Sequence, residues 1–79
     1  MPRISEPPAV AVEFGNRVRA QRIERGWSQI VLAEHAGLHF TFVSSIERGR
    51  RNPTLTTICA LAEGLEVDPG ELVHGLRLA

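Results

Sequence analysis

Lysine and tyrosine are absent from this 79-residue sequence, and cysteine, methionine and tryptophan occur once each. A single cysteine excludes an intrachain disulfide and a cluster of thiolate metal ligands. We expect this residue, Cys59, to be a small buried hydrophobe, because it lies in an apolar helical pattern. No hydrophobic run approaches the roughly 20 residues of a membrane-spanning helix, and no signal peptide is evident. We therefore expect a cytoplasmic protein without a membrane partner.

The usual signatures of catalysis are also missing. The three histidines, His35, His39 and His74, have no metal-ligand spacing with one another or with Cys59. Glu34 and His35 are adjacent but lack the HExxH context of a zinc hydrolase, and no glycine-rich phosphate loop is present. We expect no enzyme activity, no cofactor, no metal site and no small-molecule ligand.

The charges are balanced overall but unevenly distributed along the chain. All nine basic residues are arginine, and the formal net charge is zero. Residues 14–51 carry seven arginines against three acids, a net charge of +4, whereas residues 52–79 carry one arginine against four acids, a net charge of −3. A GC-rich coding bias is an alternative reason for the absence of lysine. The uneven distribution suits a protein that meets phosphates on one side only.

The hydrophobic pattern predicts one small domain made of helices. The chain has 43% hydrophobic residues, which at this length is near the lower limit for a self-sufficient core, so pairing with a second copy would help it fold. Residues 1–12 contain three of the five prolines, and we expect a flexible N-terminal arm there. Residues 13–79 would form the domain.

Five helices are expected within that domain. The first spans residues 13–25 and directs Phe14, Val18 and Ile23 inward. The fourth begins at Thr54 or Thr56, and the fifth runs over residues 69–76 with Asp68 as its N-cap. The inward face of the fourth helix is expected to carry Leu55, Ile58, Cys59, Ala62 and Leu65.

The most informative stretch is residues 29–49, where two short helices flank a tight turn at Gly37. In the second of these helices, residues 40–48, the apolar side chains fall in one arc. The opposite arc carries small hydrogen-bonding groups and ends in an arginine: Thr41, Ser44, Ser45 and Arg48. An α-helix of this kind can enter the DNA major groove, where each base pair presents a distinct pattern of donors and acceptors.

The run from Ser28 to Leu72 resembles the helix-turn-helix domain of Cro/C1-type (XRE-like) regulators. The pairs Ser28-Gln29 and Ala36-Gly37 contribute to the similarity, and the run IERGRRNPTL at residues 46–55 is its most specific part. The sequence also resembles the small controller proteins of restriction–modification systems. This resemblance implies an all-α, five-helix fold of the lambda-repressor type and double-stranded DNA as the partner.

The helix faces and the resemblance together predict which residues contact DNA. Those expected to contact bases are Phe40, Thr41, Ser44 and Ser45. Those expected to contact phosphates are Ser28, Gln29, His39, Arg48, Arg50, Arg51 and Asn52. Plain helix capping by Ser28 and a solvated arginine loop are the alternatives. Relatives close to the controller proteins often have Asp-Arg-Thr-Tyr at positions 39–42, so the guanine-reading arginine of such relatives is missing here.

The resemblance also implies an ion pair between Arg22 and Glu47 that joins the first and third helices. A protein of this kind would act as a homodimer on a pseudo-palindromic operator. The expected dimer interface comprises Leu65, Val67, Leu72, Val73, Leu76 and Leu78, with closure of the monomer core by these residues as the alternative. The other candidate surface contains Ile30 and Val31. An antitoxin-like subunit that binds a toxin and its own operator is the alternative function.

Overall fold

The computed structural model describes residues 8–78, and within that range the chain forms five α-helices and no strand. The helices are α1 (Ala9–Glu24), α2 (Gln29–Ala36), α3 (Phe40–Glu47), α4 (Leu55–Leu65) and α5 (Pro69–Val73). The predicted all-α, five-helix fold is confirmed. No helix in this part of the chain is long and apolar enough to cross a membrane.

The first helix begins earlier than expected. Of the predicted flexible arm, residues 1–7 lie outside the described residues, whereas residues 9–12 belong to α1, so the predicted boundary at residue 12 is wrong. Pro8 has an extended backbone with φ of −68° and ψ of 143° and precedes the first turn. Ala11 is only 3% exposed. Burial of Ala11 in this first turn stabilises helix where the proline-rich composition favoured an arm.

Side-chain caps fix the starts of α2, α4 and α5. Asp68 is the predicted cap of α5, and Thr54 rather than Thr56 is the cap of α4. Ser28 Oγ accepts from Val31 N at 3.2 Å, and Thr54 Oγ1 accepts from Thr57 N at 3.2 Å. Asp68 Oδ1 accepts from the Gly70 amide at 3.1 Å. Each cap satisfies one of the amide groups that a helix N-terminus leaves without a partner. The fifth helix ends at Val73, three residues sooner than expected.

The core receives side chains from all five helices. Its buried members are Phe14 and Val18 of α1, Leu32 and Ala33 of α2, Val43 and Ile46 of α3, Leu61, Ala62 and Leu65 of α4, and Leu72 of α5. Three sequence expectations are wrong. Ile23 is 52% exposed, Leu55 is 81% exposed, and Cys59 is exposed rather than buried. The inward stripe of α4 is Ile58, Leu61, Ala62 and Leu65, the i, i+3, i+4, i+7 spacing of one helix face.

Glycine allows α1 to cross α3 at backbone distance. A Cβ atom added to Gly15 would lie 2.2 Å from the carbonyl oxygen of Ile46 and 2.8 Å from that of Glu47. A Cβ atom on Gly49 would lie 2.7 Å from the Cα atom of Val12. The position of α3 is therefore set directly by the α1 backbone, with no side chain between them.

The end of the chain returns to the start of α4. An apolar cleft of about 160 Å³ has Val10 and Phe14 of α1 on one side and Pro53 and Ile58 on another, and Leu76 completes it. The residues that follow α5 are therefore neighbours of the first turn of α4.

Glu66 offers a simple test of backbone strain. It ends α4 in the left-handed conformation, with φ of 58° and ψ of 43°, and it is the only non-glycine residue with positive φ among residues 8–78. Glycine adopts this conformation without the Cβ penalty, so we expect Glu66→Gly to stabilise the fold by about 0.5–1 kcal/mol and raise Tm by about 2–8 °C. Thermal unfolding followed by circular dichroism measures the shift. Glu66→Ala removes the same charge but retains the Cβ atom, and it should show no gain. A glycine variant that melts below the wild type would contradict the prediction.

Candidate nucleic-acid interface

A three-residue turn joins α2 to α3. Gly37 adopts the left-handed conformation with φ of 69° and ψ of 31°. The amide of Leu38 then donates to the carbonyl of Ala33 at 2.9 Å, which closes the end of α2. His39 is the N-cap of α3. The predicted two-helix unit with a tight turn at Gly37 is confirmed.

The two faces of α3 differ as the sequence predicted. Val43 and Ile46 have no exposed surface, and Phe42 is half-buried against the core. On the outer side Phe40 is 44% exposed and Thr41 is exposed, while Ser44 and Ser45 are half-buried. The structure thus leaves the four proposed base-contacting side chains accessible along one short helix.

His39 and Thr41 form a local pair at the start of this helix. The Thr41 amide donates to His39 Nδ1 at 3.3 Å, and the Thr41 hydroxyl lies 2.8 Å from the same nitrogen. The imidazole ring is also near the Phe40 ring, with centroids 5.8 Å apart. His39 therefore contacts both Thr41 and Phe40, and these contacts restrict all three side chains at the exposed start of α3.

A buried ion pair links α1 to the last residue of α3. Arg22 Nε donates to Glu47 Oε2 at 2.6 Å, and Arg22 Nη2 donates to Glu47 Oε1 at 2.9 Å. The two side chains are 12% and 2% exposed. The hydrogen bond to the Glu47 carboxylate raises the pKa of Arg22 above its ordinary value, against the opposing effect of burial. The predicted pairing of Arg22 with Glu47 is confirmed.

The same network reaches the start of α2. Gln29 Nε2 donates to Glu47 Oε1 at 3.1 Å, and Arg22 Nη1 donates to the carbonyl of Trp27 at 2.8 Å. The amide side chain of Gln29, expected to contact a phosphate, therefore also has an internal partner. Its second N–H proton and the amides of Gln29 and Ile30, the first two residues of α2, remain available to an anion, whereas the Val31 amide already donates to Ser28 Oγ.

The residues after α3 form an exposed basic loop. Arg48, Arg50, Arg51 and Asn52 are all exposed, and none of the three arginines forms a salt bridge within residues 8–78. The guanidinium carbon of Arg51 lies 5.4 Å from the ring centroid of Phe42. A cation over an aromatic face is weakly attracted to it, which favours a defined position for this side chain.

One aromatic contact beside this surface was not evident in the sequence. The rings of Trp27 and His35 stack with centroids 4.2 Å apart and an interplanar angle of 9°. The guanidinium carbon of Arg25 lies 5.9 Å from the Trp27 ring centroid. This stack attaches the loop after α1 to α2. The sequence has no local signal for it, since the pairing depends on how α2 packs.

The proposed dimer interface needs correction. Leu65 and Leu72 have no exposed surface and belong to the core of a single chain. Val67, Val73 and Leu76 are partly buried and pack against that core. Leu78 is 67% exposed. Leu76 has neighbours within its own chain, because it lines the cleft with Phe14 and Ile58.

Comparison with known proteins gives a consistent result. Residues 18–72 match the family described as Helix-turn-helix (HTH_3). The chain is 43% identical over 66 residues to Control protein C.SmaI of Serratia marcescens, an alignment that covers 81% of this chain and 79% of that protein. It is also 41% identical over 59 residues to the immunity repressor protein of Bacillus phage phi105. That match covers 75% of this chain but 41% of the repressor.

The solved structures agree with these sequence relatives. The crystal structure of the restriction-modification controller protein C.AhdI from Aeromonas hydrophila superimposes with a TM-score of 0.77 and 44% identity. The superposition covers 78% of this chain and 94% of the C.AhdI chain. These relatives are control proteins and a repressor, and they give no support to an antitoxin-like subunit.

Proposed function

This chain belongs to the helix-turn-helix family HTH_3 of DNA-binding transcriptional regulators, and we propose that it binds a two-part operator as a homodimer in the manner of a restriction–modification control protein. The observation that carries the proposal is the accessible polar face of α3 beside three arginines that form no ion pair with any residue of the described range 8–78. The family consists of regulators rather than enzymes.

In this proposal α3 is the recognition helix. Phe40, Thr41, Ser44 and Ser45 face base edges in the major groove, where threonine and serine hydroxyls accept or donate hydrogen bonds and an aromatic ring can contact a thymine methyl group. Phosphates are bound by residues that precede α3 and by residues that follow it. The residues assigned to them are Ser28, Gln29 and His39 on one side and Arg48, Arg50, Arg51 and Asn52 on the other.

The Arg22–Glu47 network supports this assignment by its position. It connects the start of α2, where Gln29 lies, to the end of α3, where the basic loop begins. A rigid link between two phosphate-contacting regions fixes their separation before DNA arrives. Such preorganisation lowers the entropic cost of binding.

The basic loop is tested by the salt dependence of binding. We expect Arg50→Ala with Arg51→Ala to weaken binding to every DNA sequence by similar factors. The slope of log K against log salt should fall by about one for each lost phosphate contact. Fluorescence anisotropy at several salt concentrations measures the slope. Arg77→Ala, which removes an exposed arginine from the acidic end of the chain, is the control and should leave the slope unchanged. Equal slopes for the wild type and the double variant would remove the loop from the interface.

The proposed second copy would cover the end of the domain where α4 begins. Leu55 is 81% exposed and Leu78 is 67% exposed. Thr56 and Cys59 are exposed on the same helix as Leu55. We propose that Leu78, which follows α5, joins these three α4 residues in one contact, and we call the four residues the α4 surface. A two-fold contact would bury the same apolar patch on both copies.

A further inference from the structure

The hydrogen bonds around His39 constrain what Thr41 can present to DNA. A backbone N–H is always a donor, so the Thr41 amide bond at 3.3 Å identifies His39 Nδ1 as an acceptor. A neutral imidazole that accepts at Nδ1 carries its proton on Nε2. The Thr41 hydroxyl, 2.8 Å from the same Nδ1, can then bond to it only by donating its proton.

That donation fixes the polarity of a side chain that is otherwise ambiguous. A free threonine hydroxyl rotates and serves either a donor or an acceptor on a base. With its proton on His39 Nδ1, Thr41 Oγ1 presents only lone pairs to an incoming DNA groove. The first hydroxyl on the exposed side of α3 is thus a hydrogen-bond acceptor only, rather than a group that can both donate and accept.

We infer that His39 is a positioning residue for base recognition, and that through it Thr41 selects a base with an exocyclic amino group, adenine or cytosine. In the major groove, adenine N6 and cytosine N4 are the donors, whereas guanine and thymine present acceptors at the corresponding positions. Against a keto base, Thr41 would either face a lone pair or lose its bond to His39. This inference rests on the proposed function, because it requires α3 to lie in the major groove.

The same arrangement gives His39 a second role without conflict. Because Nδ1 is occupied by Thr41, the Nε2–H group is the remaining donor of the ring, and the side chain is exposed. That donor is suited to a DNA phosphate, the contact already proposed for His39. In the neutral ring, a phosphate that accepts from Nε2–H favours the tautomer in which Nδ1 is the acceptor.

The test compares base preferences of four proteins. Bound DNA is selected from a randomised pool and sequenced for the wild type, Thr41→Val, His39→Gly and His39→Asn. Valine matches threonine in shape but has no hydroxyl. Glycine removes the side-chain acceptor and is tolerated as an N-cap, so α3 still forms. Asparagine restores a neutral oxygen acceptor at the cap. Circular dichroism checks that each variant retains the wild-type helix content.

We expect the wild type to prefer an amino base by about fivefold, the size of one net hydrogen bond, at one position in each half-site. Thr41→Val should abolish that preference and leave the other positions unchanged. His39→Gly should reduce it to less than about twofold, and His39→Asn should restore it. A role of His39 in folding alone would lower affinity for all sequences and leave the relative preference intact.

Three results would overturn the inference, and they differ from failure of the proposed function. They are a keto preference at the Thr41-dependent position, an unchanged profile in Thr41→Val, and an unchanged amino preference in His39→Gly. In each of these the wild type still selects a defined site, so the regulator assignment stands. A wild type that selects no sequence at all would remove both the inference and the proposed function.

Discussion

Replacement of Glu47 by alanine should destabilise the protein by about 3–5 kcal/mol, the usual cost of stranding one partner of a buried ion pair. The Glu47 side chain is 2% exposed and accepts hydrogen bonds from both Arg22 and Gln29. Its loss leaves a guanidinium that is 12% exposed without a counter-charge. Since the total stability of small domains is only about 5–15 kcal/mol, this variant should be close to unfolded at moderate temperature.

A double-mutant cycle separates this interaction from simple loss of packing. Arg22→Met with Glu47→Leu replaces both charges with apolar side chains and should cost less than the sum of Arg22→Met and Glu47→Leu alone. Urea denaturation at neutral pH provides the four free energies. The raised pKa of Arg22 keeps its charge throughout that range, and the stabilisation would be lost only as pH rises through that alkaline value. Additive costs in the cycle would show that the two side chains do not interact.

The local signals for the helices were readable in the sequence because they depend on short-range chemistry. Ser28, Thr54 and Asp68 cap helices where a small polar side chain precedes an apolar run. Gly37 takes the positive φ angle that its position suggested, and Gly49 does the same after α3. Each of these features involves atoms within a few residues, so no knowledge of the tertiary packing was needed.

Features that depend on packing between helices were harder to predict from the sequence. The sequence placed Leu55 and Cys59 on the inner face of α4, but the stripe through Ile58, Leu61 and Leu65 is the one that faces the core. The expected and observed faces share Ile58, Ala62 and Leu65 and differ by a small rotation about the helix axis, so both satisfy a helical period. Only the position of α2 against α4 decides between them.

Hydrophobicity alone also could not distinguish the core of one chain from an interface between two. Leu65 and Leu72 are as hydrophobic as interface residues, but both lie in the core of the monomer. The start of α1 was missed for a related reason. Residues 9–12 form helix because Ala11 is buried and Val12 abuts Gly49, contacts that involve residues nearly forty positions away.

Substitutions in the α4 surface should have the second large effect, which is on dimer formation. We expect Leu55→Asp with Leu78→Asp to convert a dimer into a folded monomer, because each change places a charge in a contact that must be apolar to form. Both side chains are exposed in the single chain, at 81% and 67%, so the fold itself should tolerate the substitutions. Sedimentation gives the mass, and circular dichroism gives the helix content.

Loss of the dimer should lower operator affinity by about 100-fold or more, since the second half-site no longer binds as part of the same complex. Affinity for a DNA fragment with a single half-site should be nearly unchanged, because α3 and the basic loop are untouched. That contrast separates loss of pairing from damage to the DNA surface. The distance between half-site centres should be about 34 Å or a multiple of it, one turn of the duplex for each recognition helix.

Ile30→Asp is the matched control for this experiment. Ile30 is 54% exposed on α2 and tests the other apolar surface that the sequence offered. If the α4 surface is the interface, the Ile30 variant stays dimeric with unchanged mass. A monomeric Ile30→Asp variant, together with a dimeric Leu55→Asp and Leu78→Asp variant, would place the interface on α2. Since α2 also begins beside Ser28 and Gln29, the residues proposed to contact phosphates, a dimer formed there would compete with DNA for the same face, which is why we favour α4.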